Sequence, residues 1–175
     1  MNRPPKWFER RFDLSFPAEL YPNLCVRLRG TPARVEELLR DVPREALLRR
    51  NPGEWSVQEH AGHLLDLEPL WDARVSEFLG DATELTAADL SNRRTHEAGH
   101  NESQLREILQ GLRAARFRLL ERLAMVDAAA RTRTLLHPRL RQPMRLVDHL
   151  YFVAEHDDHH LAFIASLLEE NRGPA

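Results

Sequence analysis

Between Glu155 and His160 the chain reads Glu-His-Asp-Asp-His-His, which leaves His156 and His160 four residues apart. On a helix that spacing puts two imidazoles about 40° apart on one face, one turn above the other. Leu146, Val153, Ile164 and Leu167 recur on the same face, so the pair sits inside an apolar stripe. A buried imidazole without a partner costs about 1–3 kcal/mol, and two stacked imidazoles can share one divalent metal ion. The ordinary alternative is a core histidine satisfied by a carbonyl or a carboxylate. A third histidine from another element would decide between them.

Two candidates stand in the stretch from Trp55 to Asp66. Ser56 and Glu59 have the spacing of a capping box, in which each side chain serves a backbone amide of the other residue. A helix therefore opens just after Trp55 and runs to near Gly80, with Val57, Ala61, Leu64, Trp71, Val75 and Phe78 on its buried face. Pro69 predicts a kink or break around Leu65, whose carbonyl loses its donor. Helical periodicity places His60 nearer the apolar face than His63, and geometry leaves both open.

A rival constellation is His96-Glu97-Ala98-Gly99-His100, the HExxH pattern of zinc peptidases. That motif works when a stable helix turns both histidines to one side and the glutamate acts on a zinc-activated water. Gly99, the polar flanks and a helix cap at Asn101 argue against such a helix, and His96 and His100 read as loop residues. His149 and His159 flank the His156/His160 pair and read as structural or solvent-facing.

The elements that must position these residues are helices. Residues 1 to 30 hold Pro4, Pro5, Pro17 and Pro22 among Trp7, Phe8, Phe12, Phe16 and Tyr21, a pattern too interrupted for one long helix. They form an expected arm over the main body, which covers residues 31–170. Thr31 as N-cap and Pro32 at the first helical position open a helix to about Asp41. Residues 80–100 read as a long surface connection. Asn101 caps a third helix carrying Leu105, Ile108, Leu112, Ala115, Leu119, Leu123 and Val126, with Arg113, Arg116, Arg118 and Arg122 on its solvated side. The fourth helix runs from about Arg145 to Glu170, and no strand signal competes. The expectation is an all-α four-helix bundle with a metal or ligand site in its core.

With 25 basic and 27 acidic residues dispersed along 175, the net charge is −2, which offers no stripe for nucleic acid and no patch for an anionic membrane. No apolar run approaches the roughly 20 residues needed to span a bilayer, and Met1-Asn2-Arg3-Pro4-Pro5 leads into no apolar segment. The single Cys25 agrees with a reducing compartment, and a soluble cytoplasmic protein is expected.

Trp55-Ser56 followed by His63-Leu64, together with His156-x-x-x-His160 on the last helix, resembles the two signatures of the DinB/YfiT-like superfamily. The resemblance covers roughly residues 30 to 170. It implies an up-down-down-up four-helix bundle, often a homodimer, that holds a divalent metal on three histidines. Carried over residue by residue, these are His63, His156 and His160, with His60 the alternative that periodicity favours. Superfamily members include thiol-dependent S-transferases, a thiol-dependent isomerase and many proteins described only as metal-dependent hydrolases.

Three imidazoles with an open position form the arrangement of a catalytic metal, and zinc and nickel both suit imidazole. A water or a low-molecular-weight thiol would be activated there for attack on a small-molecule substrate. Glu59, Asp66, Glu155 and Asp157 are the available acceptors for the far ring N–H groups, and none of them is assigned a catalytic role. The competing readings are a bundle in which the ion only clamps helices, a bundle of satisfied core histidines, and the HExxH peptidase.

Overall fold

The computed structural model describes residues 3–15 and 17–172, so Met1, Asn2 and Phe16 of the expected arm lie outside the described residues. In chain order come α1 (Tyr21–Leu39), α2 (Arg44–Leu48), α3 (Val57–Leu79), α4 (Arg93–Glu97), α5 (Leu105–Ala124), α6 (Ala128–Thr132), the hairpin β1 (Thr134–His137) and β2 (Gln142–Arg145), and α7 (Leu146–Arg172). The four long helices α1, α3, α5 and α7 form the bundle. None is long and apolar enough to cross a membrane.

Side-chain pairs fix the directions of these helices. Arg27 bonds Glu155 and Arg34 bonds Asp158, so α1 and α7 run the same way. Leu65 packs on Gly111, Glu68 bonds Arg116 and Asp72 bonds Arg122, so α3 and α5 are parallel as well. Tyr21 bonds the Leu123 carbonyl while Glu36 bonds Arg113, and His60 meets His160 while Trp71 meets His149. Those contacts set α1 against α5 and α3 against α7, which is the up-down-down-up order.

The core is divided along the bundle. One apolar cluster gathers Leu28, Trp71, Phe78, Leu123, Leu150 and Val153, and the other gathers Val35, Leu64, Leu112, Ile164 and Leu168. Each buried side chain of this kind contributes about 1.5–3 kcal/mol. Between the clusters every long helix turns a polar residue inward: Thr31, Glu68, Arg116 and Asp157 are all buried.

Arg116 organises that layer. Its guanidinium, 0% exposed, donates to Asp157 at 2.6 Å, to Glu68 at 2.6 Å and to the Leu28 carbonyl at 3.1 Å, while the Thr31 hydroxyl donates to Asp157 at 2.7 Å. Burial alone would lower the Arg116 pKa, but the two carboxylates outweigh it and hold it above its ordinary value. Placing Arg116 on a solvated face was therefore wrong. It lies four residues after Leu112 and three before Leu119, which is on the buried stripe.

Other boundaries are corrected too. The first bundle helix begins at Tyr21, ten residues before Thr31, so Pro32 lies inside it. Proline at that position leaves the carbonyl four residues earlier without its helical donor, and that carbonyl is Leu28, which Arg116 serves instead. Through Pro69, α3 continues unbroken to Leu79. Asn101 does not cap α5; Gln104 holds that place, and the Asn101 side-chain oxygen accepts from the Ser56 hydroxyl at 2.8 Å.

The unexpected hairpin pairs Leu135 with Met144 and buries both. Leu136 also exchanges backbone hydrogen bonds with Thr83 and Leu85, which anchors the long connection on the hairpin. Residues before α1 pack on α7, whereas residues 21–30, read as part of the arm, belong to α1. Trp7 and Phe12 lie against Phe152, and Arg10 pairs with Glu155.

Candidate metal centre

The capping box at Ser56 and Glu59 forms as expected: the Glu59 amide donates to the serine hydroxyl at 3.1 Å and the Ser56 amide to the glutamate at 2.8 Å. It fixes the first turns of α3, where every residue from Ser56 to Leu64 is buried. His63 projects from these turns toward His156 and His160 of α7. One ring nitrogen from each of the three lies within 4.8 Å of the other two.

What stands behind each ring selects the nitrogen that faces the others. The His63 Nδ1 lies 2.9 Å from the Thr95 hydroxyl, which donates to Asp66 at 2.9 Å. That hydroxyl proton is committed to the carboxylate, so His63 is the Nδ1–H tautomer and its Nε2 lone pair faces the cluster. The His160 Nδ1 lies 2.9 Å from the His60 Nδ1, which leaves the His160 Nε2 only 3.2 Å from the His156 Nε2. Two imidazole nitrogens on one tetrahedral zinc at about 2.0–2.1 Å would stand about 3.3 Å apart. Burial lowers His63 to about 4 and holds His156 and His160 well below their ordinary value, so all three are neutral at pH 7. The donor set fits a divalent ion of borderline softness.

Asp66 is the end of this chain of bonds. Burial alone would raise its carboxyl, but hydrogen bonds from His100, at 2.7 Å, and Thr95 hold it below the usual value. His100 reaches it because Gly62 leaves room; a Cβ there would stand 2.3 Å from the imidazole. Of the four carboxylates expected behind the histidines, only Asp66 takes that place. Glu59 pairs with Arg50, Glu155 with Arg10 and Arg27, and Asp157 with Arg116.

All three tryptophans of the chain ring the cluster. The centroid distances are 5.0 Å from Trp7 to His156, 4.7 Å from Trp55 to His63 and 5.6 Å from Trp71 to His156. Two cavities open on His63 and His156. One of about 240 Å³ runs between Leu67, Trp71 and Phe152 toward the hairpin. The other, of about 420 Å³, lies on the side of His60, His159 and His160.

The described geometry separates the cluster from the HExxH stretch. Gly99, at φ +62°, ends the helical turn between His96 and His100, and His100 turns to Asp66 instead. His60 is buried and stacks on Phe163, 5.4 Å away, with only its Nδ1 directed at His160. His159 is buried between Trp7 and Phe163 rather than solvent-facing. His149 is buried with neither nitrogen bonded among the described residues.

A family model of the DinB superfamily matches residues 27–164, well over half of the chain. The chain belongs to the DinB superfamily. Among solved structures, this DinB-superfamily chain is similar to YfiT from Bacillus subtilis, described as a probable metal-dependent hydrolase with an unusual four-helix bundle topology. The two share 20% identity with a TM-score of 0.80, covering 95% of each chain. At that identity the likeness shows the fold. No curated protein sequence matches the chain.

Sequence reasoning missed Thr95 and His100 as parts of the site. Both lie in the connection read as a surface passage. The local signal for His100 was the His96–His100 spacing, read there as a peptidase pattern, and nothing local marked Thr95.

Proposed function

We propose that this DinB-superfamily protein holds one divalent ion, zinc or nickel, on His63, His156 and His160 and uses it to hydrolyse a small-molecule substrate. The supporting observation is that three neutral imidazoles converge where a cavity reaches them, with Thr95 presetting the tautomer of His63. An ion held there supplies Lewis acidity, polarising a carbonyl and bringing the pKa of a water or thiol toward neutrality. The Thr95–Asp66–His100 chain orients His63. Packing by Trp7 and Trp71 around His156 limits the water that reaches it. A purely structural ion would duplicate what Arg116 already does, because its bonds to Glu68, Asp157 and Leu28 tie α3, α7 and α1 together.

A second reading, transfer of a low-molecular-weight thiol, is favoured by one feature. Two cavities open on His63 and His156 from different sides, so two organic reactants can approach together. Metal content of untagged protein by inductively coupled plasma mass spectrometry tests the shared premise. About one equivalent is expected in wild type and in His96→Ala, and none in His63→Ala or His156→Ala. Wild type that stays empty after reconstitution overturns both readings. Zinc- and nickel-loaded protein is then assayed for ester and amide hydrolysis and for consumption of a thiol with an electrophile; thiol consumption without hydrolysis selects the second.

A further inference from the structure

The smaller cavity, beside His63 and His156, is also lined by three side chains that offer hydrogen-bond donors and form no ion pair among the described residues. His137 on β1 is 2% exposed, and its Nδ1 accepts from the Leu140 amide at 3.2 Å, so its proton sits on Nε2. That Nε2–H has no hydrogen-bond partner among the described residues. Arg139, in the turn between β1 and β2, is half-buried with Nη2 likewise unpartnered, and its guanidinium lies over the rings of Phe8 and Phe152 at 5.5 and 5.7 Å. Arg74 of α3, 1% exposed, directs Nε and Nη2 to the single carbonyl of Thr86 and forms no ion pair among the described residues. All three line the cavity.

The contrast with Arg116 is the informative part. A guanidinium withdrawn from water is expected to come with carboxylates, and Arg116 is ion-paired with two, whereas neither Arg74 nor Arg139 forms an ion pair among the described residues, Glu77 acting on Arg74 only through space. Asp89 also lines the cavity, but its oxygens accept from the Ser91 and Arg93 amides and the Ser91 hydroxyl, and it is exposed. A buried donor without an acceptor costs about 1–3 kcal/mol. A buried cation, a half-buried one and an orphaned N–H, all lining one largely apolar cavity, are satisfied together by one arriving anion. A planar guanidinium matches a carboxylate through paired, charge-assisted bonds.

We propose that His137, Arg139 and Arg74 form a carboxylate-binding subsite that selects an acid with an apolar, ring-sized body. The body lies between Leu67, Trp71 and Phe152, and the opposite end of the molecule is directed at His63 and His156. The direction of the reacting end rests on the metal-enzyme reading; the carboxylate subsite does not.

The test is calorimetric titration of full-length, untagged protein with 3-phenylpropionate and its neutral isostere 3-phenylpropionamide, in metal-free and zinc-loaded forms. The acid is expected to bind at least tenfold more tightly than the amide in both forms. Arg139→Gln, in a half-buried turn with no protein carboxylate to orphan, is expected to abolish that preference with metal content unchanged, and His137→Phe to reduce it. His63→Ala is expected to keep it. Equal binding of acid and amide, no binding of either, or a preference that survives Arg139→Gln overturns the subsite. A preference lost in His63→Ala or in the metal-free form overturns it too, because the ion would then be the anion receptor. If wild type takes up no metal yet prefers the acid, the enzyme reading fails and the subsite stands.

Discussion

At the scale of single residues, Thr95 is the informative position. Its hydroxyl accepts from His63 and donates to Asp66, so a carboxylate two bonds away fixes the tautomer of one histidine of the cluster. Thr95→Val keeps the shape and removes both bonds. It is expected to weaken zinc affinity about 10- to 100-fold with little change in the unfolding midpoint, and Thr95→Ser to restore it, as read by chelator competition. A second expectation concerns acid. Burial lowers His137 to about 4 and His149 well below its ordinary value, so the folded chain binds fewer protons than the unfolded chain below pH 6.5. Stability should be fully present above pH 6.5 and fall as pH drops toward 4, seen as a falling urea midpoint in metal-free protein; a flat profile across that window would contradict it. His156 and His160 were readable because two histidines four residues apart share a face of any helix, whatever surrounds it. His63 was not readable from periodicity, because residues from Ser56 to Leu64 are buried all round and the helical wheel has no outside to point away from. The family motif supplied it.

At the scale of elements, the bundle helices are joined by Arg116 as much as by apolar packing. Removing that one side chain leaves Glu68 and Asp157 buried without a countercharge and the Leu28 carbonyl without a donor. Arg116→Met is expected to cost about 3–5 kcal/mol in urea unfolding, whereas combining it with Glu68→Gln and Asp157→Asn should recover much of that loss. If the single and triple variants unfold alike, the clasp contributes little. The four long helices were legible because the 3–4 spacing of their apolar residues is local, and the capping box at Ser56 and Glu59 marked the start of α3; their directions came from the family resemblance, since the Thr31 and Asn101 caps did not form. The hairpin was not, since four-residue strands containing Pro143 carry almost no period and are held by Thr83, Leu85 and the bundle. The start of α1 was missed because Pro32 looks like a first-turn proline. The residue that makes it tolerable inside a helix is 84 positions downstream, at Arg116.

At the scale of the whole molecule, the arm, the connection between α3 and α5, and the hairpin all converge on one end of the polar layer. That convergence brings Trp7, Trp55 and Trp71, distant in sequence, around the histidines. Every indole in the protein therefore reports on the same few ångströms of space. Intrinsic fluorescence, normally an average over unrelated environments, becomes a direct gauge of site occupancy. Paramagnetic nickel is expected to quench most of the emission at one equivalent, whereas closed-shell zinc should mainly shift its wavelength, and His156→Ala should abolish both responses. Emission indifferent to nickel in a protein shown to carry it would place the ion elsewhere. The same property offers an assay with no added dye, in which a ligand entering either cavity is seen as it displaces water from Trp7.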